Sequence, residues 1–166
     1  MKYALARSRI RNGDLLAWSG KTGWSWYEIQ HHIIRILTES EYVHVGVAWK
    51  LAGRVFVLEA SKDGVRIFPL SRRLPCYWVK THEMWNAEVE EFALEHFGDP
   101  FSKLHAWQAL LGILKRDETV GHPWECAEFA IEVLEKAGVH LNCRATPSLV
   151  IRSALALGGS LSMIEE

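Results

Sequence analysis

The stretch from Tyr42 to Ala60 constrains the chain more than any other part of it. Tyr42-Val43-His44-Val45-Gly46-Val47-Ala48-Trp49 is dense in β-branched and aromatic residues. Lys50-Leu51-Ala52-Gly53 can turn the backbone, and Arg54-Val55-Phe56-Val57-Leu58-Glu59-Ala60 returns. Such side chains suit a pleated, half-buried surface, and Gly53 supplies the freedom a tight turn requires. The pattern predicts an antiparallel hairpin. A turn centred between Leu51 and Ala52 places His44 directly opposite Glu59, with Cβ atoms about 5 Å apart on one face. A carboxylate in that position can hold one imidazole nitrogen and leave the other to act as a base. A solvated cross-strand ion pair is the plainer reading of the same residues. Against it, the flanking Val43, Val45, Val57 and Leu58 are apolar, so the pair lies in a stretch that reads as buried.

The segments around the hairpin define the fold class. Asn12-Gly13-Asp14 is turn chemistry leading into the short apolar run Leu15-Leu16-Ala17-Trp18, a strand. Residues 27–37 carry Ile29, Ile33, Ile34 and Leu37 on one helical face. Past the hairpin, Lys62-Asp63-Gly64 turns the chain into a strand over 65–70, and 75–80 is a further strand, so the middle of the chain reads as an antiparallel meander. From Asn86 the pattern becomes helical, with Val89, Phe92, Ala93, His96 and Phe97 on one face up to Gly98-Asp99-Pro100. A second helical stretch covers 103–114. Residues 126–137 form a strongly amphipathic helix stopped by Gly138. Thr146-Pro147-Ser148 opens a last short helix, and Gly158-Gly159-Ser160 begins a tail expected to be loose. No linker divides the chain, so the expectation is one α+β domain over 1–166, an antiparallel sheet or open barrel packed against helices.

Composition removes several function classes. The 166 residues carry a formal net charge of -1, which gives no bulk attraction to nucleic acid or to an anionic membrane. The basic cluster between Lys2 and Arg11 reads as a solvated edge. Arg7, Arg9 and Arg11 interrupt any apolar leader, and no run approaches the ~18 apolar residues of a membrane span. A cytoplasmic setting is therefore expected. Cys76, Cys126 and Cys143 are odd in number and widely spaced, which suits neither a disulfide framework nor a zinc ribbon. The adjacent His31 and His32 point in different directions on a helix, and His96, His105 and His122 have no partner at a metal-ligand spacing. No metal or cofactor is expected.

Cys126 stands apart from the other two cysteines because it opens the amphipathic helix, after Pro123-Trp124-Glu125. A thiol at a helix N-terminus feels the positive end of the dipole, which lowers its pKa toward the reactive thiolate. The backbone N–H groups of the first turn are candidate oxyanion donors. A small buried residue is the alternative reading of Cys126, and the preferred one for Cys76 and Cys143. Trp24, Trp26 and Trp124 are candidates either for a substrate groove or for the core.

The segments Gly13-Asp14-Leu15-Leu16, His44-Val45-Gly46-Val47, Leu58-Glu59-Ala60 and Glu125-Cys126-Ala127-Glu128-Phe129 resemble, taken together, the motifs of the NlpC family of papain-like cell-wall peptidases. The cysteine helix comes last here, a circular permutation of that family's order. Thr38-Glu39-Ser40-Glu41-Tyr42-Val43-His44, Gly64-Val65, Phe97-Gly98-Asp99-Pro100-Phe101 and Thr146-Pro147 are similar to the permuted, YiiX-like branch. The resemblance spans about Gly13 to Ala156. Ala127 stands where that branch often has serine after the cysteine, and Val43 where serine is common before the histidine.

The resemblance implies a thiol hydrolase with Cys126 as nucleophile, His44 as base and Glu59 as the group orienting the base. Its substrate would be a peptide, a peptidoglycan fragment or an acyl lipid. Lipid-processing relatives of the superfamily imply a thioesterase or acyltransferase as the alternative, and an inactive binding module on the same scaffold is a third.

Overall fold

A two-residue turn decides the register of the sheet. In the computed structural model, which describes residues 1–19, 41–81, 85–102 and 121–166, strand β2 (His44–Leu51) returns as β3 (Arg54–Ser61) through Ala52 and Gly53. Both turn residues lie in the left-handed region, with φ of 47° and 75°. A hairpin turn that matches the twist of its strands needs positive φ at both central positions, and glycine meets that need at least cost. Gly53 therefore occupies the second central position. The turn is centred one residue later than the sequence suggests, and the pairs run from Leu51↔Arg54 to Val47↔Leu58. His44 and Glu59 are thus diagonal rather than directly opposed. Moving the register by two positions leaves them on the same face.

The remaining strands are β1 (Leu15–Trp18), β4 (Gly64–Pro69), β5 (Cys76–Lys80) and β6 (Ser160–Ile164). They complete a six-stranded antiparallel sheet in the order β4-β3-β2-β1-β5-β6. The meander expected for the middle of the chain holds for β2, β3 and β4. It fails for β5, which a short 3₁₀ turn (Leu70–Arg72) helps carry to the far side of β1. Asp14 ties that crossing down. Fully buried, it accepts hydrogen bonds from Arg11 N, Trp78 Nε1 and Thr81 N at 2.8, 2.8 and 3.0 Å.

Helices α2 (Ala87–Glu95), α3 (Cys126–Lys136) and α4 (Pro147–Ala156) share one face of the sheet. There Val45, Val47, Leu58 and Ala60 meet Phe129, Ala130, Val133 and Ile151 in the larger apolar cluster. The opposite face carries a smaller cluster, in which Ala6 and Ile10 cover Leu16, Ala48 and Val55. Ala6 belongs to α1 (Tyr3–Arg9), a helix where the sequence suggested only a basic edge. Its arginines stay exposed while Ala6 is buried, so charge concealed the helix. The tail expected to be loose is β6. Its backbone pairs with β5 from Cys76↔Ile164 to Lys80↔Ser160, and Ile164 is fully buried. The helices expected over 27–37 and 103–114 lie outside the described residues, as do Trp24 and Trp26. Among the described residues, no helix is long and apolar enough to cross a membrane.

Candidate active site

The sheet delivers the first half of the site. His44 opens β2 and Glu59 lies near the end of β3, and their side chains meet with Nε2···Oε2 at 2.6 Å. The Glu59 side chain is completely buried and that of His44 is 13% exposed. The carboxylate serves more than the imidazole. Arg66 Nε reaches Glu59 Oε1 at 3.1 Å, and Arg73 Nη1 bonds Oε2. Burial pushes the Glu59 carboxyl up, but the His44 hydrogen bond and the charges of His44, Arg73 and Arg66 outweigh it and leave the pKa below the ordinary value. Glu59 is therefore an anion at neutral pH. Trp18 closes this cluster: its ring centroid is 5.4 Å from that of His44, and the Arg73 guanidinium lies 4.7 Å over the same indole.

The second half is delivered by a loop and a helix. Asp99 is the loop's anchor, accepting from His96 Nδ1 at 2.6 Å, Gly121 N at 3.0 Å and Trp124 Nε1 at 3.3 Å. Trp124 N in turn donates to Pro100 O at 2.8 Å. These bonds fix Trp124, which is fully buried and belongs to the core rather than to a groove. Glu125 follows as the N-cap of α3. Its Oε2 accepts from Ala127 N and Glu128 N at 2.8 and 3.1 Å, and Glu128 reaches back to Glu125 N, a capping box. Cys126 is the first residue of the helix proper, with its thiol 2.9 Å from Glu125 Oε1.

Two expectations about Cys126 are overturned here. Its pKa is raised, not lowered. Burial is the largest cause, followed by the Glu125 carboxylate beside it, and the helix dipole cannot compensate for both. The thiol is thus a stored proton donor, not a standing thiolate. The first-turn N–H groups of Ala127 and Glu128 are both taken by Glu125, so they are not oxyanion donors.

The halves approach each other at the edge of the β2–β3 ladder. The ladder ends at Val47↔Leu58, short of His44. The backbone N–H of Val45, beyond its end, donates to the Cys126 sulfur, and the charge of Glu59 is close enough to raise the thiol further. Cys126 therefore rests against the residue next to His44. Sequence reasoning named all three residues but missed Arg66, Arg73, Trp18 and Glu125, which surround them. Arg66 had a readable signal, since β4 follows β3 through a tight turn and Arg66 pairs with Glu59. Arg73 and Trp18 had none, because Arg73 approaches through the crossing to β5 and Trp18 through the pairing of β1 with β2, in which it faces His44.

Cys76 is buried and its thiol is pushed up to about 12 by burial, while Cys143 is partly exposed. His96 and His122, without a recognisable partner in the sequence, each meet a buried carboxylate: Asp99 at 2.6 Å and Glu128 at 3.3 Å. His31, His32 and His105 lie outside the described residues.

No protein-family model and no curated protein matches the sequence. Among solved structures, the fold is similar to one described as the metalloprotein YiiX of Escherichia coli O157:H7, a protein of the DUF1105 group. The TM-score is 0.57 at 16% identity, over 84% of this chain and 77% of that one. The likeness is one of fold. Among the described residues of this chain, no group of three or more His, Cys, Asp or Glu side chains is arranged to hold a metal ion.

Proposed function

We propose that the chain is a permuted papain-like thiol hydrolase that cleaves an amide bond, with Cys126 as nucleophile, His44 as base and Glu59 as the orienting carboxylate. The supporting observation is the 2.6 Å contact of Glu59 with His44 Nε2 beside a cysteine held against Val45. With Nε2 committed to Glu59, Nδ1 is the nitrogen that serves the thiol. Nδ1 takes the Cys126 proton as the sulfur attacks the carbonyl carbon. The C–N bond then breaks, and the imidazolium protonates the departing amine, leaving a thioester. Water, deprotonated by His44, attacks the thioester; the carboxylic acid leaves and the thiol recovers its proton. The raised thiol pKa makes this general-base catalysis, in which the proton leaves as the bond forms. The Cys126 backbone N–H, at a helix start where such groups lack an intrahelical acceptor, is the oxyanion donor.

Covalent trapping tests the assignment. A panel of peptidyl vinyl sulfones, followed by peptide mass mapping, is expected to place the adduct on Cys126. His44→Ala is expected to slow that adduct by at least ~100-fold. Adducts that form only on Cys143, or at the same rate in His44→Ala, would overturn the proposal.

A further inference from the structure

An open pocket of about 380 Å³ lies at the end of the sheet, between the end of β1, the residues leading into β5, and β6. Trp18, Arg72, Arg73, Leu74, Tyr77 and Met163 form most of its wall, and no Asp or Glu among the described residues lines it. That volume falls within the range of small-molecule and peptide side-chain sites. Two of its walls belong to the cluster around the proposed base. Trp18 packs on the His44 ring, and Arg73 bridges the Trp18 face and Glu59.

Among the described residues the local charge balance is positive. Glu59 accepts from both Arg66 and Arg73, so one carboxylate is shared by two permanent cations, and Asp63 neutralises only Arg66. Arg73 spends one N–H on Glu59, of the five a guanidinium carries. Arg72 is exposed and has no carboxylate partner among the described residues. Two guanidinium forks beside an indole and the apolar surfaces of Leu74 and Met163 suit a planar oxyanion on an apolar stem.

We propose that this pocket is a subsite for a carboxylate-bearing residue of a peptide substrate, held by Arg72 and Arg73. This rests on the amide-hydrolase reading, whose substrate it narrows to acidic peptides. A carboxylate anchored on Arg73 sits one side chain from His44, so occupancy places the neighbouring peptide bond near the base.

Binding to a chain that cannot turn over separates the subsite from the chemistry. Calorimetry on Cys126→Ala would compare two capped tripeptides that differ only in a central glutamate or glutamine. The glutamate peptide is expected to bind ~10-fold tighter, as one or two charge-assisted hydrogen bonds imply. In the Cys126→Ala background, Arg72→Gln, at an exposed position, should lose about half of that advantage on a logarithmic scale. Arg73→Gln should lose the remainder. Equal affinity for the two peptides, or a preference untouched by Arg72→Gln, would overturn the proposal. Inorganic phosphate at matched concentration is expected not to displace the glutamate peptide; equal displacement would show a simple anion site and refute the peptide assignment. Wild-type chain that hydrolyses both peptides with equal kcat/KM sinks the subsite and leaves the hydrolase standing. A charge preference in binding with no hydrolysis of either peptide does the reverse.

Discussion

Glu59 and Glu125 are both buried glutamates, and each touches a member of the proposed triad, yet their carboxyl groups are displaced in opposite directions. Burial raises both. Glu59 has three nitrogen partners, two of them permanently charged, and its pKa ends below the ordinary value. Glu125 has a thiol and two neutral peptide N–H groups, with the Glu128 carboxylate nearby, and is pushed up to about 7. The partners' charge, not depth, decides which glutamate is a fixed anion. The proposed base, His44, is thereby given a permanent counter-charge. The proposed nucleophile, Cys126, is given a neighbour pushed up to about 7.

The largest effect should follow from breaking the first half of that contrast. Glu59→Ala leaves Arg66, Arg73 and His44 without their shared carboxylate. Removing one side of a buried ion pair costs about 3–5 kcal/mol, which urea unfolding would measure. Glu59→Gln keeps the shape and a hydrogen bond but removes the charge, and kcat/KM should fall by at least ~10-fold. Turnover within about two-fold of wild type would show that Glu59 serves the arginines alone.

The second half predicts a pH dependence of opposite sign. A carboxyl raised in the folded state holds its proton longer than in the unfolded chain. Glu125 therefore adds stability below pH 4.5, and that stability is lost as pH rises toward about 7. Glu59, with a lowered pKa, adds stability above 4.5 that is lost on further acidification. The two contributions therefore change in opposite directions as pH moves away from the ordinary carboxyl value. Glu125→Gln should flatten the slope between pH 4.5 and 7 and leave the acid limb intact. The same substitution removes a negative charge from beside the thiol, so Cys126 should alkylate several-fold faster at about pH 8. An unchanged slope in Glu125→Gln would mean that the group does not titrate there.

The contrast also marks how far the sequence carried. The hairpin and the helix that begins at Cys126 were legible, because each depends on local periodicity. The pairing of His44 with Glu59 was legible too, though through the wrong register. The alternation of side chains tolerates an error of two positions and not of one. The partners that set the charge were not legible. Arg73 reaches Glu59 only because β5 crosses beyond β1, and the raised Cys126 pKa depends on how deeply α3 is packed. Helix α1 and strand β6 were hidden by short length and by charged or polar residues on their outer faces.

A smaller effect should come from the close approach behind Glu59. A Cβ placed on Gly46 would lie 2.6 Å from Val57 Cγ2 and 2.9 Å from the Leu58 carbonyl oxygen. The carbonyl belongs to the backbone of β3 and cannot turn aside, so β2 and β3 must separate. Gly46→Ala is expected to cost about 1–3 kcal/mol and to lower kcat/KM by shifting Glu59 from His44. Its effect on the alkylation rate of Cys126 should be less than that of His44→Ala. A stability loss without any loss of activity would show that the His44–Glu59 contact survives changes in strand spacing.

The smallest effect is a gain. Ala52 holds a φ of 47°, a conformation that costs a residue with a Cβ about 1–2 kcal/mol and that asparagine tolerates better. Asn-Gly is the favoured pair for a two-residue hairpin turn, so Ala52→Asn should stabilise the chain by about 0.5 kcal/mol. For a chain of this size that is roughly 1–2 °C in Tm. The substitution lies at the far end of the hairpin from His44 and leaves the pairing register unchanged, so kcat/KM and the pH slope attributed to Glu125 should both stay at wild-type values. A higher Tm accompanied by a changed pH slope would mean that the turn communicates with α3, and that the two glutamates are not set by their immediate partners alone.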